Sequence, residues 1–442
     1  MPTSKRILLI SYYFAPHNRI GAVRPTKLAK YLTRMGHEVT VICGTGFDGA
    51  EDPTLRRDLL ELKDVHVIRE WSPLRNMLMR KAKAAPAGVK SAPAAQPSAS
   101  SSKAKKVKKL IRSAVDMAYR YLRWMAEQDF RRKAACELDK LSGGYDAIFS
   151  CYGPVCVHQV ARKARKKGIA PKWIADFRDE LSFPFVWQKW RTKGFLQMLQ
   201  READVLSAVS SGFLEVMGFE KTGRVLSNGY DREDLPAVME AEKDGILRFV
   251  YCGQLNMGRK GVPDRDVTPL FRALKKLSDE GVIAPEEIRV VYAGGEGALM
   301  RRYAATCGLE DCVEDHGWVS RSESIRLQRT SDVLLMASWN TEALKGILTG
   351  KLFEYMMMDK PIVNCMGGER KNSGVKQLLE ETGLGMSCEQ ADGQAGEEML
   401  LAYLRTLIQR WRAGEDLLCD KNADAVEAYS YPQLAAKLAE WI

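Results

Sequence analysis

The amino-acid sequence predicts an α/β protein built from two Rossmann-like domains that face a central cleft. Three observations predict this class: a strand–helix–strand unit at residues 6–43, a second set of strands that begins at Leu247, and the segment Gly346–Val363. Each alternates apolar runs of strand length with helical periodicity, as is typical of parallel sheets covered by helices. At 442 residues the chain is also too long for one ordinary core, so two domains are expected.

The first strand–helix–strand unit contains a candidate binding loop. A strand at Arg6–Ser11 precedes a loop at Tyr12–Arg24, which includes Gly21. Apolar residues at helical spacing predict a helix over Pro25–Met35, and a second strand follows at His37–Cys43. Because ligands of such folds bind beyond the carboxyl ends of the strands, the loop after the first strand is placed to meet one.

A polar linker at Arg232–Asp244 separates two sets of predicted strands. We expect domains at residues 1–231 and 232–428, with a closing helix at 429–442 that packs back on the first domain. The remaining predicted strands are 147–150, 173–176 and 205–209 before the linker, and 247–251, 288–293, 313–316, 333–336 and 361–365 after it. Two Rossmann-like halves joined in this way imply a ligand cleft between them.

The segment Gly346–Val363 predicts a loop, a helix start at Thr349, about two helical turns and a buried strand. Lys351 and Glu354 lie on this short helix. The ammonium can neutralise a phosphate bound at the helix start, and the carboxylate can accept hydrogen bonds from sugar hydroxyls. The alternative is an ordinary crossover helix with a surface lysine and a capping glutamate.

Composition narrows the possible function classes. No apolar run approaches the ~20 residues of a membrane-spanning helix, and the N-terminal apolar run enters Tyr12-Tyr13-Phe14 without a small-residue cleavage site, so we expect a first strand there. The ten cysteines include no C-x-x-C pair, which argues against zinc and favours the reducing cytoplasm. Asp264-Arg265-Asp266 resembles a D-x-D motif but lacks a preceding apolar strand, so we expect no metal and no other cofactor.

The net charge of +11 is concentrated between Arg75 and Lys133, where 16 Lys and Arg face three acidic residues. Residues 82–106, rich in Ala, Pro, Ser and Lys, predict disorder. From Val107 to Met125 an apolar stripe predicts an amphipathic helix. Residues 105–125 therefore suit an anionic membrane surface, with a solvated helix as the alternative. Nucleic acid is disfavoured because no recognition module accompanies the charge.

Eight short stretches occur in the order found in a known enzyme family. They are YYFAP with the following Gly21, GHEVTVI, IADFRDE, SNGYD, YCGQL with the following Lys-Gly, YAGGEG, HGWVS and GILTGKLFEY. Through them the chain resembles the retaining glycosyltransferases of family 4, which have the GT-B fold, and within them a bacterial envelope-polysaccharide branch. The resemblance extends from the first strand into the last third of the chain but matches little of residues 75–133.

The resemblance implies a nucleotide-sugar donor held mainly by the second domain. It places the backbone of Gly317 to Val319 against the base, Glu354 on the ribose hydroxyls, and the N–H groups of Leu348 and Thr349 on the phosphates. Lys260 would stabilise the charge of the departing diphosphate, an electrostatic contribution that is often the largest in catalysis.

Two positions depart from the family pattern. Gly346 stands where the family has the first glutamate of its E-x7-E motif, a residue that touches the donor sugar, so the identity of the sugar is left open. Gln254 stands where the family has an arginine. Arg259, Arg265 and Lys351 are candidates to supply the missing positive charge.

In the first domain, the resemblance places the Gly21 loop against the diphosphate and the donor sugar. Asp176 and Asp179 follow a predicted strand and are candidates to orient or deprotonate the acceptor hydroxyl. The alternative is an arginine–aspartate pair that only fixes the loop.

The function expected from these residues and the resemblance is a retaining hexosyl- or N-acetylhexosaminyl-type transferase. It would move sugar from a UDP-sugar to a hydroxyl of a cell-envelope glycan or lipid-linked precursor. The protein would be cytoplasmic and peripheral on the inner face of the cell membrane. Alternatives are a GT-B nucleotide-sugar epimerase and a non-catalytic nucleotide-sugar-binding scaffold.

Overall fold

The chain forms two compact units in the computed structural model. The first comprises Met1–Val209, Leu214–Leu226 and Ala435–Ile442, and the second comprises Ser210–Phe213 and Ser227–Leu434. The structure describes residues 3–45, 51–71, 102–181, 189–235, 244–255, 264–342, 346–418 and 420–442, without the side chains of 102–113, 116 and 189.

The first unit is organised around a parallel sheet. Its strands are β1 (Arg6–Ser11), β2 (Glu38–Gly44), β3 (Asp64–Ile68), β4 (Ala147–Cys151), β5 (Lys172–Phe177), β6 (Val205–Ala208) and β7 (Arg224–Val225). The strand order is β3-β2-β1-β4-β5-β6-β7, with Ile7 opposite Val39 and Leu9 opposite Phe149. The direction of winding therefore reverses between β1 and β4, the position where doubly wound folds have their ligand crevice.

Helices cover this sheet. They are α1 (Ile20–Arg34), α2 (Pro53–Leu59), α3 (Ser102–Glu137), α4 (Cys156–Lys166), α5 (Lys189–Glu202) and α6 (Ser211–Met217), whose first three residues belong to the second unit. The central strands have no exposed side chain: Leu8, Leu9, Ile148 and Phe149 are all fully buried. Burial on both faces explains why these strands read as continuous apolar runs instead of alternating ones.

Helix α1 begins earlier than the sequence predicts. It starts at Ile20, so Gly21 lies in its first turn and not in a free loop, while Pro25 is inside the helix. The prediction began the helix at Pro25 because it followed the apolar periodicity of residues 25–35. Within the helix, Pro25 has no N–H to donate to the carbonyl of Gly21, which lies four residues earlier.

The second unit has its own parallel sheet, in the order β10-β9-β8-β11-β12-β13. The strands are β8 (Leu247–Cys252), β9 (Ile288–Ala293), β10 (Val313–Asp315), β11 (Val333–Trp339), β12 (Ile362–Gly367) and β13 (Gly385–Glu389). The helices are α7 (Thr268–Asp279), α8 (Gly297–Ala305), α9 (Arg321–Thr330), α10 (Gly350–Met356), α11 (Gly374–Thr382), α12 (Gln394–Ala413), α13 (Ala423–Glu427) and α14 (Tyr431–Ala439), which ends in the first unit. Apolar clusters fill both sides of this sheet, so each unit has its own core and the predicted α/β class is confirmed.

The predicted amphipathic helix is present as α3, which is 36 residues long. Its C-terminal half packs on the first unit, where Ala126, Phe130 and Ala134 are fully buried. Farther toward the N-terminus, residues 114, 115 and 117–121 are all exposed. Within the stretch predicted to be disordered, 82–106, residues 102–106 instead form the start of α3, and the rest of the stretch lies outside the described residues. In the described part of the chain, no helix is both long enough and apolar enough to span a bilayer.

Candidate functional site

The carboxyl ends of β8 and β9 in the second unit are followed by glycines that let polar groups approach closely. Gly253 follows β8 with φ +133°, and a Cβ added there would lie 2.8 Å from the Nζ atom of Lys351. At Gly294, an added Cβ would collide with the hydroxyl of Tyr292 and the carbonyl of Gly253. Only glycine therefore leaves space for the Lys351 ammonium over this strand end.

Lys351 lies in the first turn of α10 and is half-buried. Its Nζ is 3.9 Å from the ring centroid of Tyr251, a cation–π distance. Burial, with a smaller contribution from the positive charge of Arg265, lowers the pKa of Lys351 to about 7, whereas Cys252 and Glu354 act in the opposite direction. Near neutral pH, Lys351 is therefore only partly protonated. An anion that binds nearby would favour its protonated, positively charged form.

Arg265 is the second cation at these strand ends. Its NH1 donates to the carbonyl of Gln254 at 2.7 Å, and its guanidinium lies 4.5 Å from the ring centroid of Trp339, the last residue of β11. The backbone carbonyl of Gln254 thus holds the guanidinium of Arg265, which lies 11 residues later in the chain. The structure brings together Arg265 and Lys351, two of the three residues that the sequence offered for the missing charge.

Glu354 lies one turn after Lys351 on α10 and has a fixed carboxylate. Its Oε1 accepts a hydrogen bond from Nε2 of Gln328 at 2.8 Å, and its Oε2 is 3.4 Å from NH1 of Arg321. Gln328 is itself buried and donates to the hydroxyl of Ser324 at 3.0 Å. A half-buried carboxylate held in this way presents acceptor oxygens in a set orientation.

Gly317 and Val319 flank an exposed tryptophan just after β10. Gly317 has φ +63°, and its N–H donates to Oδ1 of Asp315 at 3.0 Å, while Val319 packs against the apolar core. The intervening Trp318 is 73% exposed, and its ring lies 3.0 Å from where a Cβ of Gly295 would be. Sequence reasoning did not single out Trp318, although an exposed aromatic residue beside a glycine turn was readable in HGWVS.

Thr349 is the N-cap residue of α10, as predicted, but its side chain does not cap the helix. Its hydroxyl contacts the sulfur of Met336 at 3.8 Å instead. Leu348 packs partly buried against the core. The helix has seven residues. As in any α-helix, the N–H groups of its first turn have no acceptor within the helix.

Two of the predicted site residues, Arg259 and Lys260, lie outside the described residues. Gly346 has φ +73°, a backbone conformation in which a glutamate would be strained.

In the first unit, Asp176 is fully buried and lies in an ion pair. Its two oxygens accept hydrogen bonds from Nε and NH2 of Arg24 at 3.0 and 2.9 Å, and Oδ1 also accepts from the hydroxyl of Ser207 at 2.8 Å. A carboxylate so enclosed fits a structural role better than the predicted contact with an acceptor hydroxyl. Asp179 is 63% exposed and lies 3.4 Å from NH2 of Arg178.

Gly21 lies against the guanidinium group of Arg178. A Cβ added to Gly21 would be 2.5 Å from NH1 of Arg178, and one added to Gly153 would be 2.9 Å from its NH2. Sequence reasoning treated Arg178 only as a partner of its neighbouring aspartates. The proximity of residues 21 and 178, on separate elements, has no signal in the sequence.

No protein-family model and no curated protein sequence matches the chain. The comparison with solved structures agrees with this architecture. Among solved structures, similar ones include sucrose-phosphate synthase from Thermosynechococcus elongatus, with a TM-score of 0.56, 14% identity and coverage of 99% of this chain and 98% of that chain. A glycosyltransferase from Rickettsia africae gives 0.54, 15%, 99% and 97%.

A Listeria monocytogenes protein assigned as a UDP-N-acetylglucosamine 2-epimerase gives a TM-score of 0.52 at 11% identity, with coverage of 99% of this chain and 95% of that chain. At such identities the likeness establishes the fold alone. The fold is the two-domain GT-B fold, as the sequence predicts.

Replacing Asp176 by Asn should destabilise the protein by about 3–5 kcal/mol, because Arg24 would remain buried without its counter-charge. Urea denaturation measures this change in the free energy of unfolding. Asp179→Asn is the matched control and should stay within about 0.5 kcal/mol of the wild type, since its ion pair is exposed. A variant of Asp176 with unchanged stability would show that the pair is not structural.

Proposed function

We propose that this protein is a retaining glycosyltransferase that moves a hexosyl or N-acetylhexosaminyl group from a UDP-sugar to a hydroxyl of a cell-envelope glycan or lipid-linked precursor. One observation carries the proposal: Lys351 and Arg265 converge on glycine-rich strand ends, and the fixed carboxylate of Glu354 lies one turn away. Two cations beside a hydrogen-bond acceptor match the charge and polarity of a nucleoside diphosphate. Retention and the type of acceptor follow from the family resemblance.

In the proposed reaction the bond between the sugar and the diphosphate breaks, and the diphosphate leaves with its negative charge. A protonated Lys351, partly removed from water, stabilises that charge more strongly than an exposed lysine would. By the resemblance, the N–H groups of Leu348 and Thr349 and the ammonium of Lys260 would contact the same phosphates, and Arg259 is a candidate to add positive charge there. The chemistry requires no metal.

Glu354 would accept hydrogen bonds from the ribose hydroxyls, because Gln328 and Arg321 hold its oxygens in place. The Gly317–Val319 backbone would meet the base, next to the exposed ring of Trp318. These contacts would orient the donor, so that binding energy at the nucleotide end positions the sugar for reaction.

The acceptor hydroxyl must lose a proton as it attacks the sugar. Asp176 is fully buried and its oxygens are held by Arg24 and Ser207, so the donor phosphate is the base that we favour, with the exposed Asp179 as an orienting group.

Turnover of UDP-sugars tests the proposal. Purified protein is incubated with UDP-glucose or UDP-N-acetylglucosamine, with and without a lipid-linked acceptor, and both UDP release and sugar isomerisation are measured. Acceptor-stimulated UDP release supports a transferase, isomerisation would indicate the epimerase, and binding without turnover would indicate the scaffold. Glu354→Gln should lower UDP release by about tenfold or more, since a charged acceptor of hydrogen bonds is lost. Glu323→Gln, which alters a partly exposed glutamate paired with Arg326 within α9, is the matched control.

The affinity for UDP should fall as the pH rises above 7. Below that pH, Lys351 is already protonated. Above pH 7, Lys351 of the free protein is mostly neutral and must take up a proton when the diphosphate binds. It does so because the pKa of Lys351, about 7 in the free protein, rises beside the new negative charge. The resulting loss approaches about tenfold per pH unit until the pKa of the complex is reached.

Isothermal titration calorimetry with UDP between pH 6 and pH 9 measures this dependence. Lys351→Met should bind weakly with a much flatter profile, and Lys351→Arg should also be flatter, because arginine keeps its charge throughout. Identical pH profiles for the wild type and Lys351→Met would exclude Lys351 from the diphosphate site.

We further propose that residues 105–125 of α3 dock on an anionic membrane, which would keep the protein on the cytoplasmic face of the cell membrane. Val115, Met117, Tyr119 and Tyr121 are 41–61% exposed, and the segment around them is strongly basic. An apolar surface combined with clustered cations is typical of interfacial helices. A lipid-linked acceptor would make this position useful to the enzyme.

Co-sedimentation with phosphatidylglycerol vesicles should show binding that is lost with phosphatidylcholine alone. Replacing Val115, Met117 and Tyr121 together by Ser should reduce the partition coefficient by at least about tenfold, since three apolar side chains no longer enter the interface. The substitutions are exposed, so thermal unfolding should be unchanged. Undiminished sedimentation of the triple variant would refute the membrane role of this segment.

A further inference from the structure

The winding of the first unit's sheet reverses between β1 and β4, and an arginine occupies that position. Arg178 comes directly after β5, and its Nε donates to the carbonyl of Tyr152 at the end of β4, at 3.1 Å. Its guanidinium lies over Gly21 in the first turn of α1 and over Gly153 after β4, whose φ is +123°. Any side chain at either glycine would displace it, so the first turn of α1 and the segment after β4 both leave space for one cation.

A second arginine reaches the same place from α3. NH2 of Arg123 donates to the hydroxyl of Tyr13 at 3.2 Å, and the guanidinium of Arg178 lies 5.9 Å from the centroid of the same ring. Arg19 is close enough to act on this hydroxyl as well. Burial raises the pKa of Tyr13, and the charges of Arg123, Arg19 and Arg178 oppose that rise.

The acidic groups beside Arg178 and Arg123 offset their charges only in part. Asp179 approaches Arg178 but is largely exposed. Glu127 pairs with Arg123 at 3.1 Å, and burial raises its pKa to about 7, with Arg123 opposing the rise. Of these two carboxylates, one is therefore screened by water and the other is partly protonated near neutral pH. Guanidinium groups are well suited to bind phosphate because they offer paired donors.

We propose that Arg178 and Arg123 form a phosphate-binding site for an acceptor carried on a lipid diphosphate. The exposed apolar residues of α3 begin two residues before Arg123, at Tyr121, and continue to Val115. An anionic head bound by the arginines would therefore have apolar surface beside it for its hydrocarbon chain. The assignment deepens the proposed glycosyltransferase function and rests on it for the identity of the ligand as acceptor.

Farnesyl diphosphate, a short prenyl diphosphate, is the probe, and farnesol is its uncharged counterpart. Calorimetry with the full chain should show binding of farnesyl diphosphate and at least about tenfold weaker binding of farnesol. Arg178→Gln and Arg123→Gln should each weaken farnesyl diphosphate binding by about tenfold or more, while UDP binding stays unchanged. Thermal unfolding checks that each variant is folded.

Gly21→Ala provides a second test that keeps both arginines. Its Cβ would meet the guanidinium of Arg178 at 2.5 Å, whereas Gly194→Ala adds a Cβ with nothing within 4 Å. Both glycines lie in helices, so only the first change should weaken farnesyl diphosphate binding.

Three results would overturn the proposal: equal affinity for farnesyl diphosphate and farnesol, unchanged farnesyl diphosphate binding in Arg178→Gln, or weakening of UDP binding alone, which would assign the arginines to the donor diphosphate. These binding measurements do not depend on turnover. They therefore remain decisive even if UDP-sugars are not converted.

Discussion

A fully buried ion pair between Arg24 and Asp176 holds together the carboxyl end of the first unit's sheet. Arg24 reaches Asp176 through two hydrogen bonds and also donates to the carbonyl of Leu226 at 2.7 Å, while Ser207 donates to the same carboxylate. The ion pair therefore joins α1 to β5, to β6 and, through Arg24, to the segment after β7. Because both charges are removed from water, their attraction is strong only in this geometry, and loss of either partner leaves a costly buried charge.

This pair also sets the position of the groups around it. Gly21 lies three residues before Arg24 on α1, and Arg178 lies two residues after Asp176, so fixing the pair brings Gly21 and the Arg178 guanidinium into contact. The second unit uses the same device, since Lys351 lies over Gly253 at the end of β8. In both units a cation rests on backbone that has no Cβ, where it is partly shielded from water and its field is stronger than at an open surface.

The strands other than β3, β7 and β13, the short helix with Lys351 and Glu354, and the long helix α3 were predicted, because local periodicity and start signals define them. The partners of Asp176 were not. The sequence Asp176-Phe177-Arg178-Asp179 contains three charged residues, and nothing local separates the buried one from the exposed one. That distinction is made by Arg24, which is 152 positions away in the chain. Arg265 was predictable as a cation, but its anchoring by the Gln254 carbonyl depends on the loop geometry and not on the identity of residue 254.

Gly346 shows how a departure from a family pattern can follow from the backbone. With φ at +73°, a glutamate at this position would adopt a left-handed conformation that costs about 1–2 kcal/mol. The nearby acidic residue Glu342 does not replace it in an obvious way, because it is 69% exposed and paired with Arg370. The nucleotide end of the proposed donor therefore has charged partners in Lys351 and Glu354. At position 346, the loop that would meet the sugar offers backbone in place of a carboxylate, so the choice of sugar must depend on hydrogen bonds from other groups.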